Sequence, residues 1–203
     1  LIPRASIPAG VDCPGELTPA EVFTVLGDLK KFGEPALVLS GGEPLLRRDL
    51  CEIAARARTL GLYTALSTNG TLIDQPLAMR IRDAGFGYVG ISLDGLEETH
   101  DRFRRKKGAF SRSLEALYLL RDLAVKVGVR FTLTRDNAAD FEPLLDLVER
   151  ERIPRFYFSH LNYAGRGNVN RRRDAEHYTA RKAMELLFAR CWDQAKRGLE
   201  RDY

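Results

Sequence analysis

Cysteine is scarce in this sequence. Three occur in 203 residues, Cys13, Cys51 and Cys191, far apart and with no C-x-x-C pair. That spacing argues against a disulfide framework and against a metal centre made from this chain's cysteines alone, and it favours a reducing, cytoplasmic setting. Long apolar runs are missing as well: none approaches the ~18 residues that a membrane span needs, and no secretory signal is visible at the N-terminus. Excess charge is small. Lys and Arg number 32 against 28 Asp and Glu, a formal +4, which suits an anionic ligand and is too little to argue for nucleic acid. There is no low-complexity stretch and no domain linker. The opening stretch, "LIPRASIPAGVDCPGE", starts on Leu and reads as an interior piece of something longer.

What the chain does have is a regular change of hydrophobic period. Val22, Phe23, Leu26 and Leu29 recur at helical spacing behind Thr18, an N-cap with Pro19 in the first turn. "ALVLS" (36–40) is a short apolar run, read as a strand buried on both faces. A helix closing at Gly61, the strand "LYTALSTNG", a helix closing at Gly85 and the strand "YVGISLDG" follow. Next come a long helix with Leu114, Leu117, Leu120, Leu123 and Val127 on one side, the strand "VRFTLT", the helix "DFEPLLDLVERE" and the strand "RFYFSH". From Arg171 a basic, then amphipathic helix is expected, with Met184, Leu187, Phe188 and Trp192 on its apolar side. Five strand–helix alternations of roughly 25–35 residues predict an α/β fold with a parallel sheet. The expected organisation is a lead-in over 1–17, a core over 18–170 and a C-terminal helical segment over 171–203. Periodicity alone leaves a barrel, a partial barrel and a doubly wound sheet open.

Polar residues and glycines gather where the strands end: Ser40-Gly41-Gly42-Glu43-Pro44, Ser67-Thr68-Asn69-Gly70, Ser92-Leu93-Asp94-Gly95, Thr134-Arg135-Asp136-Asn137 and His160-Leu161-Asn162-Tyr163. Parallel α/β folds place ligands at that edge. Turns and helix caps use the same residue types. The first exit stands apart. Two glycines allow close backbone approach, Pro44 stiffens the turn, and the Glu43 carboxylate can accept hydrogen bonds from an ammonium group.

Taken in order, "SGGEPLLR", "STNGTLI" and "GISLDGLEETHDRFR" resemble the radical S-adenosylmethionine (SAM) enzymes, over Ala36 to Arg105 without a gap. The resemblance implies a partial (β/α)6 TIM-like barrel, incomplete here at about five βα units. It assigns Gly41, Gly42, Glu43 and Pro44 to the methionyl ammonium of SAM, and Ser67 and Asn69 to its ribose or methionine moiety. Ser92 and Asp94 go to the ribose or the carboxylate. Arg104, or a neighbour in "HDRFRRKKGAF", goes to the SAM carboxylate or the substrate; a solvated loop is the other reading of that basic run. The family binds a [4Fe–4S] cluster through C-x3-C-x2-C on the loop after the first strand. Neither that strand nor that triad is in the sequence, Cys13 stands alone, and no metal ligand is named. The chain is expected to be a piece lacking the cluster loop and the family's C-terminal cysteine-rich extension.

"RFYFSHLNYAGRGNVNRRRDAEHYT" (155–179) resembles the branch of modified haem synthesis, nearest to heme d1 formation. That implies removal of propionate side chains from a didecarboxysiroheme-type tetrapyrrole by a 5′-deoxyadenosyl radical. The partners implied are a carboxylated iron tetrapyrrole and an electron donor such as a flavodoxin or ferredoxin. His160, Tyr163, Arg166 and Arg171 are the candidate substrate residues. Guanidinium groups pair bidentately with carboxylates, so Arg155, Arg172 and Arg173 suit the same substrate, and Tyr157, Phe158 and Tyr163 offer aromatic surface. A basic solvated helix start and ordinary core aromatics account for the same residues. Acetate removal or propionate-to-vinyl conversion, peptide maturation and an inactive SAM- or tetrapyrrole-binding piece are the alternatives.

Overall fold

The computed structural model describes residues 15–161 and 171–199. The chain divides into two compact units: 1–91 with 114–126, and 92–113 with 127–203.

In the first unit, helix α1 (Pro19–Phe32) starts with a reciprocal capping box between Thr18 and Glu21. Strand β1 (Leu37–Leu39) pairs in parallel with β2 (Thr64–Thr68), and β2 with β3 (Tyr88–Ser92). The crossovers are α2 (Leu50–Thr59) and α3 (Gln75–Ala84), the latter closed by Gly85 in the left-handed conformation. Leu26, Ile53, Ala57 and Leu62 form one core cluster, joined by Phe23, Leu37 and Leu39. Strand β1 departs from expectation. Val38 is 57% exposed, so this strand is covered on one face only.

The second unit starts at the end of β3. Helix α4 (Glu97–Arg104) takes up the first part of the basic run, for which a solvated loop was the other reading. Helix α5 (Ala109–Asp122) stops before Val127, which opens strand β4 (Val127–Leu133) rather than extending the helical stripe. Strand β4 pairs in parallel with β5 (Phe156–His160), connected through α6 (Phe141–Arg150). The rings of Phe131, Phe141, Phe156 and Phe158 pack together with centroids 5.3–6.3 Å apart, and that packing fixes β4, β5 and α6 as a block.

Arg171–Arg173 form a single 3-10 turn, and the last helix, α7, runs from His177 to Lys196. Only part of its expected apolar side is covered. Leu187 is buried, while Phe188 and Trp192 are largely exposed. The helix is also held electrostatically: Arg190 meets Glu142, Asp146 and Glu149 along α6. No helix among the described residues is long and apolar enough to cross a membrane.

Candidate functional site

The first exit follows β1. Gly41 has φ +145, a conformation that disfavours side chains, and no atom lies within 4 Å of where its Cβ would stand. Gly41 and Gly42 are exposed, whereas Glu43 and Pro44 are buried. Pro44–Leu46 make a 3-10 turn. Beyond it Arg47 grips Asp49 through Nε (2.6 Å) and Nη2 (2.8 Å), and reaches Glu16 and the Leu17 carbonyl. Both flanks of the turn are therefore fixed.

Glu43 does more than the sequence suggested. It is only 4% exposed, and three protein donors meet its carboxylate. Oε1 accepts from the Thr68 hydroxyl (2.5 Å) and the Leu45 N–H (3.2 Å), and Oε2 accepts from the Asn69 N–H (2.8 Å). Glu43 thus ties the exit of β1 to the exit of β2. A carboxylate offers about four acceptor positions, so Oε2, with one donor, keeps capacity for another. Thr68 passes the contact on, since its hydroxyl also accepts the Gly70 N–H at 3.0 Å. The Asn69 side chain builds the turn by accepting from the N–H and hydroxyl of Thr71, both at 2.8 Å. Ser67 lies next to them, half-buried on the opposite side of the strand.

The third exit belongs to the second unit. The Leu93 N–H is the last to find a sheet acceptor, the Arg130 carbonyl at 3.0 Å. The Asp94 N–H turns instead to His100 Nδ1, also 3.0 Å away. Asp94 is 2% exposed, and its carboxylate forms an ion pair with Arg104. Burial pushes the Asp94 carboxyl above its ordinary range, opposed chiefly by the Arg104 charge. His100 is fully buried and titrates at about 4, because burial and the Arg104 charge disfavour its cationic form. The ring is therefore neutral at pH 7, with its proton on Nε2. Ser92 is half-buried at the end of β3.

Gly95 turns the chain at φ +144. A Cβ there would lie 2.8 Å from both Asp140 Oδ2 and Thr99 Cγ2. The same Asp140 oxygen accepts the Leu96 N–H at 2.7 Å. Gly95→Ala is expected to destabilise the protein by about 2 kcal/mol, from backbone strain and overpacking together, and urea unfolding measures it.

The fourth exit is occupied mainly by its own turn. Asn137 accepts from the N–H (2.7 Å) and hydroxyl (3.0 Å) of Thr134 and donates to the Thr132 carbonyl (2.9 Å). Arg173 pairs with Asp136 and stacks over Phe103, and Arg171 is exposed. His160 is exposed, its ring set edge-to-face against Phe158 with the ring centroids 5.5 Å apart. Phe158 is committed to the aromatic core, and Tyr157, half exposed, carries Arg130 above its ring. Tyr163 and Arg166 lie outside the described residues.

Sequence reasoning passed over Thr68, His100 and Asp101. Thr68 is the neighbour, on the opposite strand face, of a residue that was chosen. The signal for His100 was its place four residues before Arg104, which puts both on one face of α4. Asp101 reads as one more charge in a basic run, yet it accepts the N–H groups of Gly108 (2.5 Å) and Phe110 (2.9 Å) at the start of α5.

The Radical SAM superfamily matches residues 6–148, and the chain belongs to it. Pre-heme d1 synthase of Dinoroseobacter shibae is 48% identical over 191 residues, which are 94% of this chain and 47% of that protein. Fe-coproporphyrin III synthase of Methanosarcina barkeri is 43% identical over 89% of this chain and 45% of its own length. The chain thus spans about half the length of the curated relatives it matches. Among solved structures, anSMEcpe with bound AdoMet superposes with a TM-score of 0.75 at 20% identity, over 95% of this chain and 56% of that one. This likeness bears out the α/β, partial-barrel fold class expected from the sequence.

Two groups implied by the family fare differently. The first exit fits the methionyl end of SAM: an exposed Gly-Gly backbone beside a fixed carboxylate with acceptor capacity left. An iron–sulfur cluster has no such fit, since no three His, Cys, Asp or Glu side chains stand together at ligand spacing among the described residues.

Proposed function

We propose that this chain is the SAM-binding core of a radical SAM enzyme that removes propionate side chains from a didecarboxysiroheme-type iron tetrapyrrole. The observation that carries the reading is the 48% identity to pre-heme d1 synthase over 94% of the chain. SAM supplies a 5′-deoxyadenosyl radical on one-electron cleavage, chemistry that belongs to the cofactor rather than the protein. The protein's own residues position and orient. In this reading Glu43 Oε2 accepts from the methionyl ammonium, and Gly41 and Gly42 let it approach. Pro44 holds the turn, and Ser67 and Asn69 serve the ribose or methionine moiety. Ser92 and Asp94 serve the ribose or the carboxylate of SAM. Arg104 offers its guanidinium to the carboxylate of SAM or of the substrate. His160, Tyr163, Arg166 and Arg171 are assigned to the tetrapyrrole carboxylates and ring. The electron comes from a flavodoxin- or ferredoxin-like donor, and a cytoplasmic setting suits this chemistry and the isolated cysteines.

Acetate removal is the second reading, favoured by the 43% identity to Fe-coproporphyrin III synthase. The test is anaerobic turnover of the full-length, cluster-loaded enzyme with SAM and a low-potential reductant, given didecarboxysiroheme, which carries both acetate and propionate side chains. Mass spectrometry reads the product. Loss of propionate from didecarboxysiroheme supports the first reading. Loss of acetate alone supports the second, and no consumption of the tetrapyrrole overturns both.

A further inference from the structure

One histidine lies at the third exit without a place in that scheme. His100 is wholly buried, and its Nδ1 accepts the Asp94 N–H at 3.0 Å. Its Nε2–H finds no acceptor among the described residues, nor does the buried Nε–H of Arg104. The Phe110 ring packs against the imidazole edge-on at 6.0 Å. His100 and Arg104 are four apart on α4, so they share one face. Both act on Asp94, one at its main-chain N–H and the other at its carboxylate.

The place of that N–H in the fold gives the contact its meaning. Leu93 still donates to a neighbouring strand, and Asp94 is the residue at which the chain leaves the sheet. A buried N–H at such a point needs an acceptor. A main-chain acceptor would continue the strand, whereas a side-chain acceptor lets the chain turn at Gly95. The residue is thus held at its backbone by His100 and at its side chain by Arg104.

We propose that His100 is a positioning residue: by accepting the Asp94 N–H it sets the angle at which the Asp94 carboxylate holds the Arg104 guanidinium for an anionic ligand. The inference rests on the reading that this exit serves SAM. It differs from a packing role in one respect, because what matters is an acceptor at the Nδ1 position and not the volume of the ring. Asn places its amide oxygen close to Nδ1. Leu fills the space better and accepts nothing. Gln reaches the Nε2 position instead.

The test compares His100→Asn, His100→Leu, His100→Gln and Asp94→Asn by calorimetric titration with SAM and by the hydrogen-exchange rate of the Arg104 Nε proton in NMR. His100→Leu and His100→Gln are expected to weaken SAM binding about tenfold, as loss of one buried hydrogen bond implies. His100→Asn is expected to restore most of the affinity and to keep the Arg104 Nε proton slow. A packing role predicts the reverse order, with Leu above Asn, and that result overturns the proposal. Should His100→Leu fail to fold, His100→Gln carries the comparison. If Asp94→Asn leaves SAM affinity at the parent value, or the parent shows no affinity, the reading of the exit has failed. The exchange rate then decides alone: fast exchange in His100→Gln and slow exchange in His100→Asn support positioning, and equal rates sink it.

Discussion

Replacing Glu43 by Ala is expected to lower the free energy of unfolding by about 3 kcal/mol, because buried donors stranded without an acceptor lose about 1–3 kcal/mol each. Three donors are involved, the Thr68 hydroxyl and the N–H groups of Asn69 and Leu45. The loss is local in origin, since Glu43 joins the loops after β1 and β2 and lies outside the apolar cluster below them. Glu43→Gln is the instructive comparison. It keeps the size and one acceptor but turns an NH2 group toward a donor, so about half the loss is expected. Unfolding in urea separates these outcomes. A change below about 1 kcal/mol for Glu43→Ala would show that water replaces the carboxylate and that the two exits are not tied. Affinity for SAM should fall in both variants, and further in Ala, if the same carboxylate also meets the ammonium group.

The second large effect is expected at Arg104. Arg104→Met keeps most of the side-chain volume and removes the charge, leaving the Asp94 carboxylate buried and unpaired at a cost of about 3 kcal/mol at neutral pH. The pH dependence identifies the cause. The Asp94 carboxyl already titrates above its ordinary range in the folded protein, through burial. Without the guanidinium its folded pKa rises further above the unfolded one. Between those two values the folded state binds the extra proton, so stability falls as pH rises through that window. The deficit of Arg104→Met should therefore shrink as pH is lowered from neutral toward the ordinary carboxyl range. A deficit of the same size at every pH would place the effect in packing against Phe103 and not in the ion pair.

Both residues were singled out by sequence, yet their surroundings were not. The strands, the crossover helices and the capping of α1 followed from period and punctuation, because apolar spacing and Gly85 or Thr18 act locally. What failed was whatever depended on a neighbour. Val38 sits in an apolar run but is not covered on both sides. Phe188 and Trp192 keep helical spacing with Leu187 while facing outward, since the face that α7 buries is set by α6 and the Arg190 contacts. Val127 has the right spacing for the helix before it and belongs to the strand after it. At the site, the Gly-Gly-Glu-Pro turn was legible as a fixed carboxylate. That the carboxylate is held by Thr68 and the Asn69 N–H was not, because the two exits are 25 residues apart in the chain and adjacent only in space.

Helix α4 has eight residues, and Phe103 is its single apolar side chain. So short and polar a segment is not helical alone in water. Its shape is supplied from outside, by the turn that His100 accepts, the carboxylate that Arg104 meets and the start of α5 that Asp101 receives. Three positions of one short helix therefore serve two parts of the chain, Asp94 and the start of α5, and each step along a helix turns a side chain by about 100°. Adding or deleting one residue here would misdirect all three together, while most single exchanges would disturb one. The length of such a segment is therefore a tighter constraint than the composition of its outward positions, because length sets the directions of all three side chains.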